Sequence, residues 1–332
     1  LTDVEDCLAL LRGVGCTAGW QGAELAVQGQ PMRTDLAPEA AGRMRASILF
    51  CAPLLARLGR VSTVLPGGCR IGARPIDLHL QGLAQMGVRQ LPAAPGQLTL
   101  YAPAGLWGAE ICLSFPSVGA TENLIIAAAG TPAETKITGA AAEPEISDLL
   151  AYLRGCGALI ESQPDGAILV QGREALTGCC CHAILPDRIE AATYLAAAAI
   201  TGGEITVYAS PEHLAAPLAA LRRMGCRITT GEQSITLTAP EHLQGAGSIV
   251  TLPYPGFPTD LQAIFMALAA AAEGYTAFTE TVFPRRWAHV EELRRLGADI
   301  TVVGSHAVIR GAPLIGSALT CTDLRAGAAV VL

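Results

Sequence analysis

The sequence contains almost no lysine and little charge of either sign. Lys136 is the single lysine beside twenty-one arginines, and charged residues make up 15% of the 332 positions. The formal net charge of −7 argues against a general nucleic-acid or membrane-surface binder. Because arginine holds carboxylates and phosphates at two points, a few converging arginines could still bind small anions in this acidic protein.

A membrane-length apolar run and a regular cysteine pattern are also missing. The longest apolar runs, 191–200 and 261–272, are about half of the roughly 20 residues that span a bilayer. Eleven cysteines, an odd number without regular spacing, do not resemble a disulfide framework. The acidic start LTDVEDCL has no signal-peptide pattern. These absences lead us to expect a soluble, cytoplasmic protein. Because 51% of its residues are hydrophobic, we also expect a sizeable core.

The sequence does contain an internal repeat of about 70 residues. A helix-like segment ending in Leu-x-x-x-Gly, followed by a short strand, recurs five times, with glycine spacings of 72, 70, 68 and 72. Glycine fits the left-handed conformation just past a helix end, which predicts a helix terminus at each copy. The five glycines are Gly15, Gly87, Gly157, Gly225 and Gly297.

A second series of helices is predicted half a repeat later. Its segments, such as GATENLIIAAAG and TDLQAIFMALAAAAEG, consist almost entirely of small apolar residues, so we expect them to be buried on most sides. Units of this kind bury their faces by packing on their neighbours. The period exceeds that of the common solenoids, which favours a few large α/β units that close on themselves.

Four motifs resemble one family closely. They are LPGGCRIGARPIDLH at 65–79, SVGATEN at 117–123, LPDRIEA at 185–191 and YPGFPTDLQA at 254–263. Together they resemble the UDP-N-acetylglucosamine 1-carboxyvinyltransferases, and the resemblance extends from Leu1 to Leu332. The glycine-rich GNAGT signature of the sister enzyme that makes enolpyruvylshikimate phosphate is absent, which favours the nucleotide-sugar enzymes.

The resemblance implies a fold of two inside-out α/β domains, each a barrel-like assembly of three strand-helix units. The first domain would comprise residues 1–185 and the second residues 186–332. Five units are visible, so we expect the second domain to be incomplete. The chain begins with Leu1 rather than Met and stops in the apolar run AGAAVVL, so both ends look cut.

The resemblance also implies the chemistry: transfer of an enolpyruvyl group from phosphoenolpyruvate to the 3'-hydroxyl of UDP-N-acetylglucosamine. Cys69 would donate the proton to the methylene carbon and form an adduct with phosphoenolpyruvate, and Arg70 and Arg74 would favour its thiolate. Asp260 would be the general base. Two alternatives stay open from the residues alone: Cys69 as an ordinary turn residue, and Asp260 as a helix N-cap.

The substrate-binding residues follow from the same resemblance. Arginines would surround the anionic groups, and Arg45 and Arg325 each lie near the start of a predicted buried helix, whose dipole favours anions. The nucleotide would lie against a backbone-rich surface. The predicted arginines are Arg45, Arg74, Arg286 and Arg325, and the nucleotide contacts are Arg74, Pro75, Ile76, Asp77, Leu78, Phe115, Pro116, Ser117, Val118 and Val282.

Neither a metal nor a cofactor is expected. The run CCCH at 179–182 lacks the Cys-x-x-Cys spacing of a metal site, and neighbouring residues of a strand point to opposite faces. We expect His289 to be a packing residue. Asp187, Arg188 and Glu145 match family positions, either as structural pairs or as catalytic groups. The oligomeric state is not predicted.

The sequence departs from the family at several positions. PRRW at 284–287 replaces the family's Glu-Asn-Arg-Phe, and Ala142 stands where a basic residue is usual. An early Lys-Asn pair and a late Asp-Arg-Gly-Tyr motif are absent, so we expect this chain to be part of a longer enzyme. Two other hypotheses are a non-catalytic, regulatory relative that binds the nucleotide sugar, and a transferase with a different acceptor.

Overall fold

The computed structural model describes residues 2–68, 75–178, 181–320 and 323–332, in which helices alternate with short strands. Cys69, Arg70 and Arg74 lie outside the described residues. The helices are α1 (Thr2–Gly13), α2 (Pro38–Arg43), α3 (Cys51–Leu58), α4 (Asp77–Gln85), α5 (Val118–Ala129), α6 (Pro144–Gly155), α7 (Arg188–Ile200), α8 (Ala215–Arg223), α9 (Gln262–Ala271), α10 (Ala288–Arg295) and α11 (Leu324–Val331). Short 3-10 helices lie at Arg45–Phe50, Pro211–Leu214 and Thr259–Leu261.

The strands follow the helices closely in the chain. They are β1 (Thr17–Gln21), β2 (Glu24–Gln28), β3 (Arg60–Val64), β4 (Arg89–Leu91), β5 (Gln97–Tyr101), β6 (Glu110–Cys112), β7 (Glu134–Thr138), β8 (Leu159–Ser162), β9 (Ile168–Gln171), β10 (Glu204–Val207), β11 (Arg227–Thr230), β12 (Ile235–Thr238), β13 (Gly247–Val250), β14 (Tyr275–Thr279), β15 (Asp299–Val303) and β16 (His306–Arg310).

Both predicted helix series are confirmed. The amphipathic series comprises α1, α4, α6, α8 and α10, each of which ends just before one of the repeat glycines. All five glycines have the predicted left-handed backbone, with φ of 107° at Gly15 and 93° to 95° at the other four. The apolar series includes α5, α7 and α9, and every residue of α9 from Gln262 to Ala270 is buried.

Four of the sheets repeat two patterns, and β1 and β2 form a separate two-stranded antiparallel sheet. Two three-stranded antiparallel sheets have the orders β3-β5-β4 and β10-β12-β11, and two four-stranded sheets have the orders β6-β7-β9-β8 and β13-β14-β16-β15. In each four-stranded sheet the first pair is parallel and is connected through a buried helix, α5 or α9. The carboxyl ends of such a pair meet at one sheet edge, which positions the segments that follow the two strands.

The chain divides into two compact units, one comprising the described residues up to Ala183 and one from Ile184 to Leu332. Each unit has its own hydrophobic core. Leu10, Leu55 and Leu124 lie in the first core, and Leu221 and Phe265 lie in the second. Among the described residues, no helix has both the length and the apolar character needed to cross a bilayer.

Candidate active site

In the second unit the site is built on the parallel pair β13 and β14. Thr251, just after β13, accepts a hydrogen bond on its hydroxyl from the amide of Thr281 (3.0 Å), just after β14. The Thr281 hydroxyl donates to the carbonyl of Thr251 in return (2.6 Å). These bonds join the segment that leads to the FPTD motif with the segment that carries Val282 and Arg286.

Asp260 lies between two predicted arginines. Nη1 of Arg286 donates to Oδ1 of Asp260 (3.1 Å), and Nε of Arg325 lies 3.8 Å from the same oxygen. The side chain of Arg286 is 4% exposed, whereas that of Asp260 is 45% exposed. The arrangement therefore presents a partly exposed carboxylate that is flanked by two cationic groups, one of them fixed by burial.

The alternative interpretation of Asp260 as a helix N-cap is wrong. Pro258 is the N-cap of the 3-10 helix Thr259–Leu261, and no side chain caps that helix. The helix α9 that follows likewise has no side-chain cap. The Asp260 carboxylate is directed to Arg286 instead.

Asp323 contacts both of these arginines, Arg325 at its backbone amide and Arg286 at its side chain. Its Oδ1 accepts hydrogen bonds from the amides of Arg325 (2.7 Å) and Ala326 (3.4 Å), so it is the N-cap of α11. Its Oδ2 lies 3.5 Å from Nε of Arg286. Nε has no hydrogen-bond partner among the described residues, so this contact is an ion pair without a well-formed hydrogen bond.

Glu280 is a further acidic residue next to the site. It is fully buried at the end of β14. Its Oε2 accepts a hydrogen bond from the hydroxyl of Thr259 (2.9 Å), and its Oε1 accepts from the amides of Val282 (2.9 Å) and Phe283 (2.8 Å). Nη1 of Arg286 also donates to the Thr259 hydroxyl (3.3 Å).

In the first unit the predicted residues gather around the start of α4. Nη2 of Arg45 donates to the carbonyl of Pro75 (3.2 Å). His79 is buried in the first turn of α4, and its Nδ1 lies 3.1 Å from the side-chain nitrogen of Asn123. Burial, aided by the nearby Arg45 and opposed by Asp77, lowers the pKa of His79 to about 4. The imidazole is therefore neutral, and Nδ1 accepts from the Asn123 amide.

The predicted contacts at 115–118 lie at the start of α5. Ser117 is the N-cap of this helix, because its hydroxyl accepts from the amide of Ala120 (3.4 Å). Phe115 is 41% exposed just before it. A Cβ at Gly119 would lie 3.4 Å from Cε1 of His79, so the first turn of α5 packs closely on α4. The first unit thus brings together Arg45, residues 75–78 and residues 115–118.

Comparison with known proteins shows the family to which the chain belongs. A family model described as EPSP synthase (3-phosphoshikimate 1-carboxyvinyltransferase) matches residues 1–332. The chain belongs to the EPSP synthase family. The resemblance predicted from the motifs at 65–79 and 254–263 is confirmed within this family by relatives that are named UDP-N-acetylglucosamine 1-carboxyvinyltransferase.

Two of these relatives illustrate the similarity. The protein from Gluconacetobacter diazotrophicus is 46% identical over 313 residues, which cover 94% of this chain and 74% of the relative. The UDP-N-acetylglucosamine 1-carboxyvinyltransferase 1 from Symbiobacterium thermophilum is 47% identical over 308 residues, which cover 92% of this chain and 68% of the relative.

Solved structures confirm the predicted α/β fold class. The enolpyruvyl transferase NikO from Streptomyces tendae has a TM-score of 0.85 at 24% identity, and the match covers 99% of this chain and 79% of that one. An EPSP synthase from Acinetobacter baumannii has a TM-score of 0.71 at 20% identity, with 99% and 80% covered. At these identities the structures establish the fold alone.

Asp187, Arg188 and Glu145, which the sequence analysis assigned to either structural pairs or catalysis, lie at or near helix starts in this chain. Asp187 is the N-cap of α7, where its carboxylate accepts from the amides of Ile189 (2.8 Å) and Glu190 (3.0 Å). The guanidinium of Arg188 lies 5.9 Å from the ring centroid of Tyr254. Glu145 lies in the first turn of α6. These contacts favour the structural interpretation of Asp187 and Arg188.

His289, His182 at the end of the CCCH run, and Trp287 of the PRRW segment each make a contact within the protein. His289 is buried, and its Nε2 lies 3.1 Å from the sulfur of Met266, which confirms it as a packing residue. His182 pairs with Asp148 (3.0 Å). Cys179 and Cys180 lie outside the described residues, and within those that are described no His, Cys, Asp and Glu cluster could hold a metal ion. In the divergent PRRW segment, the indole of Trp287 donates to the carbonyl of Pro284 (3.0 Å).

The sequence did not single out Thr259, Glu280 or Asp323. Each lies within two residues of a predicted site residue, and Asp323 precedes a small-residue helix in the manner of an N-cap, which was a usable signal. Glu280 is a charged residue at the end of an alternating strand, and charged residues are rarely buried without partners. Nothing in the sequence indicates which partners it has.

Proposed function

We propose that the chain transfers the enolpyruvyl group of phosphoenolpyruvate to the 3'-hydroxyl of UDP-N-acetylglucosamine and releases phosphate, the first committed step of peptidoglycan synthesis. The named relatives at 46% and 47% identity support this activity. The observation that carries it is the carboxylate of Asp260 in the FPTD segment, which is flanked by Arg286 and Arg325.

The reaction needs a proton at the methylene carbon of phosphoenolpyruvate and removal of a proton from the sugar hydroxyl. Cys69 supplies the first proton, and Asp260 accepts the second as the hydroxyl oxygen bonds to the central carbon. Phosphate then leaves as its bond to that carbon breaks, and the new methyl group returns a proton to the Cys69 thiolate, which regenerates the double bond and the thiol.

The arginines act on the anionic groups of the two substrates. A guanidinium matches carboxylate and phosphate oxygens at two points, and its attraction is strongest where water is excluded. Arg286 is buried and partly occupied by Asp260 and Asp323, so it orients the base as well as the anion. Arg325 is more exposed, with 28% of its side chain accessible, and suits direct contact with a substrate anion. We assign the same role to Arg45, in the first unit, and to Arg74.

The proposed nucleotide contacts in the first unit are Pro75, Ile76, Asp77 and Leu78, and Phe115, Pro116, Ser117 and Val118; the proposed contact in the second unit is Val282. The close packing of the starts of α4 and α5 supports a single binding surface for the first two groups.

We assign the two catalytic domains to residues 1–185 and 186–332. The odd number of cysteines without regular spacing supports a cytoplasmic location.

The test is phosphate release from phosphoenolpyruvate by the protein expressed from its complete gene. We expect release that depends on UDP-N-acetylglucosamine, labelling of Cys69 by fosfomycin, and a loss of at least about 100-fold in kcat for Asp260→Asn. Asp299→Asn, an exposed carboxylate at the start of β15, is the control and keeps wild-type kcat. Binding of the nucleotide sugar without phosphate release would favour the non-catalytic hypothesis instead.

A further inference from the structure

Glu280 uses both of its carboxylate oxygens for bonds to the site segments. Oε1 accepts from two backbone amides, those of Val282 and Phe283, and Oε2 accepts from the hydroxyl of Thr259. The side chain is fully buried, so water does not compete for these donors. Its backbone amide donates to the carbonyl of Ser305 (2.9 Å), which fixes the residue from the other side.

The bond to Glu280 decides which way the Thr259 hydroxyl points. A hydroxyl has one hydrogen and two lone pairs. Because the hydrogen is donated to Glu280, the lone pairs of Thr259 face Arg286, whose Nη1 donates to them at 3.3 Å. The second hydrogen of the same Nη1 goes to Oδ1 of Asp260 at 3.1 Å.

We propose that Glu280 is a positioning residue for the transfer reaction, which fixes the Arg286 guanidinium against Asp260 through the hydroxyl of Thr259. Its second oxygen holds the turn that presents Val282. This inference rests on the proposed function, because it assigns Glu280 to the same reaction. Glu280 touches neither substrate in this account and acts only through its neighbours.

A purely structural role for Glu280 leads to different results in kinetics. Loss of a structural contact lowers stability and reduces the amount of folded enzyme, but leaves kcat per folded molecule unchanged. Loss of a positioning contact misplaces reacting groups, and a displacement of about 1 Å can cost about 100-fold in rate. The decisive readout is therefore kcat per folded molecule, compared with KM.

Thr259 offers the cleaner pair of variants, because substitution of the buried Glu280 also disturbs the folded structure around it. Thr259→Val keeps the shape and removes the hydroxyl, whereas Thr259→Ser keeps the hydroxyl. The control is an exposed Thr–Glu bond in another sheet of the same unit, where the hydroxyl of Thr238 donates to Oε2 of Glu204 (2.8 Å). Thr238→Val and Glu204→Gln remove the equivalent bond away from the site.

The experiment measures kcat and KM for all variants in the protein expressed from its complete gene. We expect Thr259→Val and Glu280→Gln to lower kcat by about 10- to 100-fold with KM changed by less than about 3-fold. Thr259→Ser and both control variants should keep kcat within about 3-fold of wild type. The double variant of Thr259→Val and Glu280→Gln should be no worse than the more severe single variant, because one chain of contacts is lost only once.

Two outcomes overturn the inference. One is a wild-type kcat for Thr259→Val together with Glu280→Gln, whatever their melting temperatures. The other is an equal loss for Thr259→Ser and Thr259→Val, which would mean that the hydroxyl is not involved. A wild-type protein that releases no phosphate contradicts the proposed function instead, so the two failures are distinguishable.

Discussion

Arg286 and Asp260 form an ion pair of 3.1 Å in which the cation is buried and the carboxylate is partly exposed. The buried partner also lies 3.5 Å from Asp323, so two acidic residues share one guanidinium. A fixed cation of this kind holds the carboxylate in place while leaving it accessible to a substrate.

Arg286→Lys should damage the site although it conserves the charge. A lysine ammonium is a point charge and cannot reach Asp260, Thr259 and Asp323 with the planar geometry of a guanidinium. We expect kcat to fall by about 100-fold and the free energy of unfolding to fall by about 1–3 kcal/mol. The control is Arg295→Lys, an exposed residue that lies 3.7 Å from Glu292. Equal kcat for the two variants would contradict the assignment.

Gly87→Ala should be more destabilising than Gly96→Ala. Both glycines have a left-handed backbone, with φ of 93° and 80°. A Cβ at Gly87 would lie 2.7 Å from the ring of Trp107, whereas a Cβ at Gly96 would have no atom within 4 Å. We expect a loss of about 2–4 kcal/mol for Gly87→Ala and about 1–2 kcal/mol for Gly96→Ala, measured by urea unfolding. Equal losses would show that the Trp107 contact is unimportant.

The buried histidines should remain neutral in mildly acidic solution. Burial is the largest cause that lowers the pKa of His79 and of His289, each to about 4 from 6.5. The unfolded chain therefore binds these protons first, and the free energy of unfolding falls as the pH drops from about 6.5 to about 4, by up to about 3 kcal/mol per histidine. The check is an NMR titration of the imidazole carbons. Titration of both rings near pH 6.5 would contradict the burial argument.

Glu122 has the opposite dependence on pH. Burial, and then the nearby Glu145 and Glu143, raise its pKa to about 7 from 4.5. The folded chain holds this proton more tightly, so the free energy of unfolding falls as the pH rises from about 4.5 to about 7. Glu122→Gln should therefore stabilise the protein by about 1–3 kcal/mol at pH 8 and leave it nearly unchanged at pH 4. Glu134→Gln, an exposed carboxylate in β7, should show no such difference between the two pH values.

The fold was largely predictable because its signals are local. A glycine past a helix end needs a left-handed backbone, and an apolar helix needs burial on most sides, so Gly225 or α9 could be interpreted without knowledge of distant contacts. The family resemblance implied Asp260, in the FPTD motif, and Arg325, and the structure brings these two residues together.

The contacts of Glu280 and Asp323 could not be predicted in the same way. Glu280 accepts a hydrogen bond from Thr259, which lies 21 residues earlier in the chain. Asp323 pairs with Arg286, and α10, β15 and β16 lie between these two residues in the chain. Such contacts depend on which strand ends meet at a sheet edge, a property of the folded chain. The cap interpretation of Asp260 was wrong for the same reason, since a buried arginine distant in sequence engages its carboxylate.

The most direct test of the central claim is identification of the reaction product. The protein expressed from its complete gene is incubated with phosphoenolpyruvate and UDP-N-acetylglucosamine, and the nucleotide sugar is analysed by mass spectrometry while phosphate is measured. We expect a product heavier by one enolpyruvyl group, with one phosphate released per product molecule. An unchanged nucleotide sugar, under conditions where it binds to the protein, would contradict the account.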